Sequence, residues 1–458
     1  MDLLFAFIIF LISMVGALIF DVSMIIALLI GLIAFSIVTI KRGWSFKDLA
    51  KMCFNGAKDS IVVTEVMAVI GFVTAIWRAS GTITIFVYYG MKIITPSLFI
   101  LIAFLLCVVL SYALGTSFGV AGTVGVIFMA LARSGGVDPV ITAGALMSGI
   151  YFGDRCSPVS SSAQLVCGCT DTEIYSNVKA MLKTCVIPFV ASTLIYLIIS
   201  LKNPITGVDE SLVSAFESEF NLTPWAFVPA VFILVLPLLK VSIFWTMGLS
   251  ILTGAAVAYF MQGLGALEII KIMILGYESN RELGSILNGG GLISMVEIIV
   301  ILVISSMYSG IFNETGMLDS LQDRLTKLSN RIGRYLVTLI LSIATPMVFC
   351  NQTISTLIVA NLMKKTYDES GAPREELAID MENSVILTAC TVPWSIGCSV
   401  PLSFFGIGPN AMIYAFYMYL LPILYLFTKR LYYSTASCGS TKSGEKMSGV
   451  FPPGVCSP

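Results

Sequence analysis

The stretch GDRCSPVSSS (153–162) brings two charges, a proline and four serines into a largely apolar part of the chain. A charge at the centre of a bilayer costs about 2.5–3.5 kcal/mol on insertion scales, so such residues usually have a function. Pro158 removes a backbone donor and breaks a helix. Hydroxyls, carbonyls and a carboxylate are oxygen ligands that suit hard cations such as sodium. We therefore predict an ion or substrate site within the membrane, whose members here are Gly153, Asp154, Ser157, Ser160, Ser161 and Ser162.

The same stretch also fits an ordinary inner loop between two short helices, in which Arg155 follows the positive-inside rule. Adjacent helix positions do not face each other, so Asp154 and Arg155 are not expected to neutralise each other as a simple pair.

Two further carboxylates lie in apolar stretches. Glu65 is in the middle of VVTEVMAVIG, and Glu382 precedes the interrupted stretch TVPWSIG (391–397). We predict Asp154, Glu65 and Glu382 as coupling carboxylates, because the chain has no histidine to transfer protons near neutral pH. The alternatives are a packing residue near the inner face for Glu65 and a charge at the membrane rim for Glu382.

Composition indicates an all-α polytopic membrane protein. Of 458 residues, 57% are hydrophobic and 12% are charged, against about 25% charged residues in soluble proteins. A net charge of −1 without a basic block argues against nucleic acid as a partner. The eleven cysteines form no C-x-x-C pair. We expect no cofactor, no metal beyond a transported Na+ at Asp154, and, without histidine or a paired nucleophile and base, no enzyme.

Charge distribution predicts the orientation. Residues 41–58 contain five basic residues, so this segment lies in the cytoplasm by the positive-inside rule. Both termini are then cytoplasmic, in the cell membrane, and the acidic linker 203–224 is external. We predict a first membrane repeat over 1–202, a second over 225–430 and a disordered tail over 431–458. About ten transmembrane helices are expected, since about 20 apolar residues cross a bilayer.

Two uncharged runs, 97–132 and 335–363, are too long for one crossing and too short for two. We predict re-entrant hairpins at 97–133 and 335–366, and broken helices at 138–165 and 376–400. Irregular backbone is tolerated in a membrane where protein or water covers it. The alternative is pairs of short, tilted helices with a glycine-rich packing face. The tips and the second break add Gly115, Thr116, Ser117, Asn351, Gln352, Thr353, Thr391 and Ser395 to the predicted site.

A constant separation of 235 residues relates the two halves. IWRASG (76–81) aligns with IFNETG (311–316), and Pro158 aligns with Pro393. Each unit has an odd number of crossings, so the two units point in opposite directions. Inverted repeats with discontinuous helices at matching positions are typical of secondary transporters.

At these residues the sequence resembles the NhaC sodium:proton antiporter family, whose signature is Gly-Asp-x-x-Ser-Pro-x-Ser-Asp-Thr-Thr after an aromatic residue. The resemblance covers nearly the whole chain in layout and implies two inverted repeats and electrochemically driven exchange. Where the family has Asp-Thr-Thr, this chain has Ser161, Ser162 and Ala163. The matching positions are Gly153, Asp154, Ser157, Pro158 and Ser160.

We therefore expect an alternating-access secondary transporter of the NhaC type that exchanges sodium for protons. In the resembled family, the Asp at the position of Ser161 is a carboxylate that would help to couple sodium to protons, and this chain lacks it. A sodium- or proton-coupled transporter of a small organic solute, such as an amino acid or hydroxy acid, is thus the alternative. A channel is disfavoured because two hairpins would occlude its pore. The expected partners are membrane lipid and a small ion or solute, with a homodimer left open.

Overall fold

The computed structural model describes residues 2–20, 22–93, 96–204, 210–236, 239, 241–279, 283–316 and 322–432. Over these residues the regular structure is helical, apart from an isolated antiparallel bridge between Tyr277 and Gly289. The all-α class predicted from composition is confirmed for this part of the chain. The tail predicted over 431–458 lies outside the described residues from 433 onward, and residues 431–432 end the last helix.

The described residues of the first half form eleven α-helices and one π-helical segment at Ala121–Gly125. The chain bends by 62° between the fourth and fifth helices, at Gly81 with φ +75°. The helices are α1 (Asp2–Ile19), α2 (Met24–Lys41), α3 (Phe46–Asp59), α4 (Ile61–Ala79), α5 (Thr82–Ile93), α6 (Phe99–Leu114), α7 (Ser117–Val120), α8 (Val126–Ser134), α9 (Pro139–Cys156), α10 (Ser161–Thr170) and α11 (Ile174–Lys202).

The second half follows a short helix in the acidic linker. The helices are α12 (Glu210–Glu219), α13 (Val228–Val235), α14 (Ile243–Phe260), α15 (Ala266–Leu275), α16 (Gly284–Leu287), α17 (Ile293–Thr315), α18 (Gln322–Ile332), α19 (Arg334–Phe349), α20 (Gln352–Glu369), α21 (Arg374–Glu382), α22 (Val385–Thr388), α23 (Ile396–Phe405) and α24 (Phe416–Tyr432).

Four helical spans among the described residues are long and apolar enough to cross a membrane, or five if the bent pair α4–α5 is one span. The shorter apolar helices include α14, and also α6 and α19, which are the first arms of the two segments predicted as hairpins. Large hydrophobic side chains are exposed on the outer helices, for example Ile33 and Leu201. Such a surface suits contact with lipid. The predicted total of about ten spans stays a prediction.

The 235-residue separation also relates helix boundaries. Adding 235 to the residue numbers of α6, of the continuous segment 117–134 and of α10 gives the first and last residues of α19, α20 and α23, respectively. The helices α6 and α19 end at residues with left-handed backbone, Gly115 (φ 64°) and Cys350 (φ 56°). The residues that follow have nearly the same conformation, with φ −142° at Thr116 and −139° at Asn351.

Helix α9 is held against α6 by glycines. A Cβ atom on Gly153 would lie 1.9 Å from the backbone carbon of Ser111, and one on Gly149 would lie 2.6 Å from the Cβ of Cys107. Ser111 Oγ also accepts a hydrogen bond from the Gly153 amide at 3.0 Å. The close approach buries the whole second half of α9 and fixes the position of its last turn relative to α6.

Candidate ion-binding site

Asp154 lies in the last turn of α9 and has only 4% of its surface exposed. The helix stops at Cys156, and the chain turns through Pro158 before α10 begins. Ser160 closes this turn, because its hydroxyl donates to the backbone oxygen of Asp154 (2.5 Å) and accepts from the amide of Ser162 (3.2 Å). The proline and the cap together form the helix break that the sequence indicates.

Both halves of the chain contact the Asp154 carboxylate. Its Oδ2 accepts from Ser162 Oγ at 3.1 Å and from Gln352 Nε2 at 3.0 Å, and Ser160 Oγ donates to Oδ1 at 3.4 Å. Gln352 Nε2 also donates to the backbone oxygen of Ile386 at 3.0 Å. Hydrogen bonds to an ionised group are the strong ones, and they lower the cost of burying the charge.

The two tips pack against the two helix breaks. A Cβ on Gly115 would lie 2.8 Å from the amide nitrogen of Ser160. In the second half the backbone oxygen of Cys350 accepts from the amide of Ile396 at 2.8 Å. The re-entrant character predicted for these segments depends on a membrane, and it stays a prediction.

The polar tip residues act as helix caps. Thr116 Oγ1 accepts from the amide of Gly119 at 3.2 Å, and Asn351 Oδ1 accepts from the amide of Thr353 at 2.8 Å. These oxygens are engaged by backbone rather than directed to Asp154. Of the residues predicted at the second tip, Gln352 alone bonds to the carboxylate in the described structure.

The remaining predicted ligands differ in burial. Ser117, Gly153, Ser157 and Ser395 are buried, whereas Ser161 and Thr353 are exposed. Ser157 Oγ accepts from the amide of Val159 at 3.3 Å. Thr391 Oγ1 donates to the backbone oxygen of Thr388 at 2.8 Å.

Ser395 is free to bind a ligand in a way that its counterpart Ser160 is not. Both residues precede the second helix of a break with similar backbone, at φ −72° and −69°. Ser160 caps its helix, but the buried Ser395 Oγ has no hydrogen-bond partner among the described residues. The second break therefore offers an unsatisfied hydroxyl, and burying one without a partner costs free energy.

The two other predicted carboxylates lie in contrasting places. Glu65 is exposed on α4 and is not part of the Asp154 cluster. Glu382 is fully buried at the end of α21, and its role as a coupling carboxylate stays a prediction. Both of its carboxylate oxygens lack a hydrogen-bond partner in the described part of the chain.

Arg155, which we did not place in the site, connects the two broken helices. It is fully buried, whereas a basic residue of an ordinary inner loop is exposed to water. Its Nε donates to the backbone oxygen of Glu382 at 3.1 Å, and its Nη2 donates to Asn383 Oδ1 and to Thr184 Oγ1, the latter at 3.0 Å. The motif ENS (382–384) gives no sign of this contact, which depends on helix packing.

A second polar cluster in α21 was also missed. Buried Asp380 accepts hydrogen bonds from Tyr425, at 3.0 Å, and from Lys429. Lys429 pairs as well with Glu376 at 2.7 Å, and Glu376 pairs with Arg334 at 2.9 Å. Glu376 and Asp380 are four residues apart and therefore share one helix face, which is the signal that sequence reasoning could have used.

The oxygen donors around Asp154 are one carboxylate, several hydroxyls and backbone carbonyls. Such a set binds hard cations in preference to soft metals. A single carboxylate can also bind a proton. The arrangement can therefore exchange one small cation for another at a buried position.

Comparison with known proteins agrees with this chemistry. Residues 149–429 match the profile of the Na+/H+ antiporter family. The malate-2H+/Na+-lactate antiporter of Bacillus subtilis is 28% identical over 82% of this chain and 80% of its own length. The Na+/H+ antiporter NhaC of Alkalihalophilus pseudofirmus is 28% identical over 84% and 85%. The arginine/ornithine antiporter ArcD of Halobacterium salinarum is 26% identical over 86% and 84%.

Proposed function

Because the chain belongs to the Na+/H+ antiporter family, we propose that it is a secondary active transporter that exchanges sodium for protons by alternating access. The observation that carries the proposal is the Asp154 carboxylate, buried where the first helix break meets the second tip. Either a sodium ion or a proton neutralises this carboxylate. Since both occupy the same oxygens, binding of one displaces the other, and this competition couples the two fluxes.

The hydrogen bonds at Asp154 change with the bound cation. In the structure Ser162 and Gln352 donate to the carboxylate. A hydroxyl has lone pairs as well as a proton, so Ser162 can turn and become a sodium ligand. The Gln352 nitrogen cannot coordinate a cation, so its amide rotates or withdraws when sodium binds. The neutral loaded site then passes an apolar barrier at lower cost than the charged empty site.

The proposed architecture is a pair of inverted repeats over 1–202 and 225–430. The matching boundaries of α6 and α19, and of α10 and α23, support this arrangement. The basic segment 41–58 supports cytoplasmic termini in the cell membrane. Alternating access then consists of one repeat moving against the other around a fixed site.

Glu382 is proposed as a second titrating group. Its carboxylate is fully buried and lacks a hydrogen-bond partner among the described residues, so a proton is one way to satisfy it. Glu65 is retained as a weaker coupling candidate, because it is exposed on α4.

Exchange that includes a small organic acid is the second candidate. Ser161, Ser162 and Ala163 occupy the Asp-Thr-Thr positions of the resembled signature, and one similar protein is a malate–lactate antiporter by name. In this case Asp154 would bind the driving cation, and the solute would bind elsewhere.

The test is a pH measurement in proteoliposomes with an imposed sodium gradient and no organic solute. We expect a sodium-dependent pH change with the wild-type protein and none with Asp154→Asn. The matched control is Asp138→Asn on the same helix. Asp138 caps α9 by accepting from the amide of Val140 at 2.8 Å, and asparagine caps equally well.

The outcomes separate the candidates. Wild-type flux in Asp154→Asn would remove Asp154 from the mechanism. A flat trace with folded wild-type protein, followed by a pH change when malate or lactate is added, would favour the second candidate.

A further inference from the structure

Two arginines face one cavity away from the Asp154 cluster. The cavity, of about 180 Å³, lies between α4, α8, the segment 288–295 and the end of α23. Arg78, in the last turn of α4, and Arg133, in the last turn of α8, both line it. Neither forms an ion pair with any of the described residues. Two like charges thus share a cavity without a recorded counter-charge.

Arg78 is the more deeply buried of the two. It has 6% of its surface exposed, and its Nη1 donates to the backbone oxygen of Thr74 at 2.8 Å. Its Nε is buried and has no hydrogen-bond partner among the described residues. A buried charge with an unsatisfied donor is costly unless an opposite charge accompanies it.

Arg133 is held at the edge of the same cavity by the end of α23. Its Nη2 donates to the backbone oxygens of Phe405 at 2.5 Å and Gly406 at 3.4 Å. A Cβ on Gly406 would lie 2.9 Å from this Nη2, so a larger residue would displace the guanidinium. Its Nε and Nη1 make no hydrogen bond recorded in the described structure, which leaves two donors for a ligand.

The walls of the cavity combine polar and apolar groups. Met295 and Phe404 are buried and apolar, with 3% and 7% of their surfaces exposed. Asn288 and Ser294 add polar side chains to the lining. A water molecule takes about 30 Å³ in the liquid, so the cavity suits a ligand of a few non-hydrogen atoms. Guanidinium forks match the two oxygens of a carboxylate, and the apolar walls suit a short hydrocarbon.

We propose that this cavity binds a small organic carboxylate, with Arg78 and Arg133 as its two cationic contacts. In the proposed orientation both arginines lie at the outer ends of their helices, so the ligand enters from outside. This site rests on the second candidate function, in which an organic acid binds away from Asp154. None of the residues that bond to Asp154 lines the cavity.

The experiment measures the melting temperature of the purified full-length protein in sodium-free buffer. The probes are lactate and malate, with chloride and inorganic phosphate at equal ionic strength. We expect saturable stabilisation by the carboxylates, because a ligand that binds the folded state raises stability with its concentration. Arg133→Gln and Arg78→Gln are expected to weaken carboxylate affinity by about 10-fold or more, as hydrogen bonds to charged groups are lost.

Lys202→Gln is the matched control, because it removes one exposed positive charge in the last turn of α11, outside the cavity lining, and should leave affinity unchanged. If Arg78→Gln does not fold, Arg133→Gln and the control complete the test. Equal stabilisation by chloride or phosphate, or wild-type affinity in Arg133→Gln, would overturn the proposal.

Glu282 lies outside the described residues, and a Glu282→Gln variant is a further comparison in the binding experiment. A wild-type protein that binds no carboxylate, with a Glu282→Gln variant that does, would assign the cavity to the chain's own acid and overturn the proposal. Since sodium and gradients are absent, failure of this binding is separate from failure of sodium:proton exchange.

Discussion

Ser161 and Ser162 are adjacent serines with different surroundings. The Ser162 hydroxyl donates to Asp154 Oδ2 at 3.1 Å, whereas Ser161 is exposed. Ser162→Ala removes a donor from the empty site and an oxygen ligand from the sodium-loaded site. Hydrogen bonds to charged groups contribute about 1.5–3 kcal/mol. Loss of the hydrogen bond to the free carboxylate favours sodium, whereas loss of the sodium ligand opposes it. With the lost ligand as the larger effect, we expect the KM for sodium to rise about 10-fold, measured by sodium titration of the exchange rate in proteoliposomes.

The neighbouring variant Ser161→Ala is the control for that measurement. The hydroxyl of Ser161 makes no hydrogen bond to the Asp154 cluster in the described structure. The Ser161→Ala variant should therefore have the same KM for sodium as the wild-type protein. Equal KM values for Ser162→Ala and the wild-type protein would exclude Ser162 as a ligand. A change confined to Ser161→Ala would place the site on the exposed side of α10.

Glu382 and Glu375 lie on the same helix, one buried and one exposed. The Glu382→Gln substitution removes the buried titrating group while keeping its shape. If Glu382 carries a proton during exchange, its loss should flatten the dependence of the rate on pH and lower the exchange rate about 100-fold, the lower end of a usual general acid–base contribution. The pH profile at saturating sodium is the measurement. Glu375→Gln should retain the wild-type profile, and an unaltered profile in Glu382→Gln would leave Glu382 with a structural role.

At the scale of elements, the contact between tip and break depends on one glycine. Gly115 has φ +64°, and a Cβ there would lie 2.6 Å from Val159 Cγ2 and 2.8 Å from the Ser160 amide nitrogen. A left-handed conformation costs other residues roughly 1–2 kcal/mol, and the backbone contact adds to it. We expect Gly115→Ala to lower the melting temperature and to slow exchange.

Gly168→Ala is the comparison, because a Cβ there meets no atom within 4 Å and its helical position favours alanine by about 1 kcal/mol. This variant should melt at or above the wild-type temperature. If Gly115→Ala has the same melting temperature as Gly168→Ala, the contact between the tip at Gly115 and the helix break does not stabilise the fold.

The helix breaks could be predicted from sequence because their causes are local. Proline and glycine act on their own backbone, so Pro158 and Gly115 mark interruptions without any knowledge of packing. The partners could not be predicted in the same way. Gln352 reaches Asp154 across a separation of 198 residues, and Arg155 reaches Asn383 across 228 residues. Such contacts depend on the rotation of each helix about its axis, which composition and spacing leave free.

At the scale of the whole molecule, contacts between the halves occur at both ends of the helices. Arg133 of the first half donates to the backbone at Gly406 of the second. Asp171 of the first half pairs with Lys364 at 2.9 Å and with Arg374. Asp171 and Gly406 are separated by 235 residues and both have left-handed backbone, with φ 55° and 63°. Equivalent positions of the two repeats therefore both contribute to contacts between the halves. The contact at Gly406 is a hydrogen bond to backbone, whereas the contacts at Asp171 are ion pairs.

Asp171 lies in the loop after α10, outside the spanning segments, and its ion pairs offer a test of the contact between the halves. The hydrogen bond and charge of Lys364, together with Arg374, hold the pKa of Asp171 below its ordinary value. A carboxyl whose pKa is lowered in the folded state adds stability above its unfolded pKa, about 3.9 for aspartate, and loses it as the pH falls through the folded pKa. Asn tolerates left-handed backbone, so Asp171→Asn removes the charge and keeps the turn.

We expect Asp171→Asn to melt about 1–3 °C below the wild-type protein at pH 7, a small change because the pair is exposed. The two melting temperatures should converge as the pH falls below about 4, where the wild-type carboxyl also loses its charge. The difference should shrink in 1 M salt, where the screening length is about 3 Å. Glu375→Gln removes an exposed carboxylate with no recorded ion pair and should follow the wild-type protein. A difference that persists at low pH and in salt would show that the turn, rather than the charge, joins the halves.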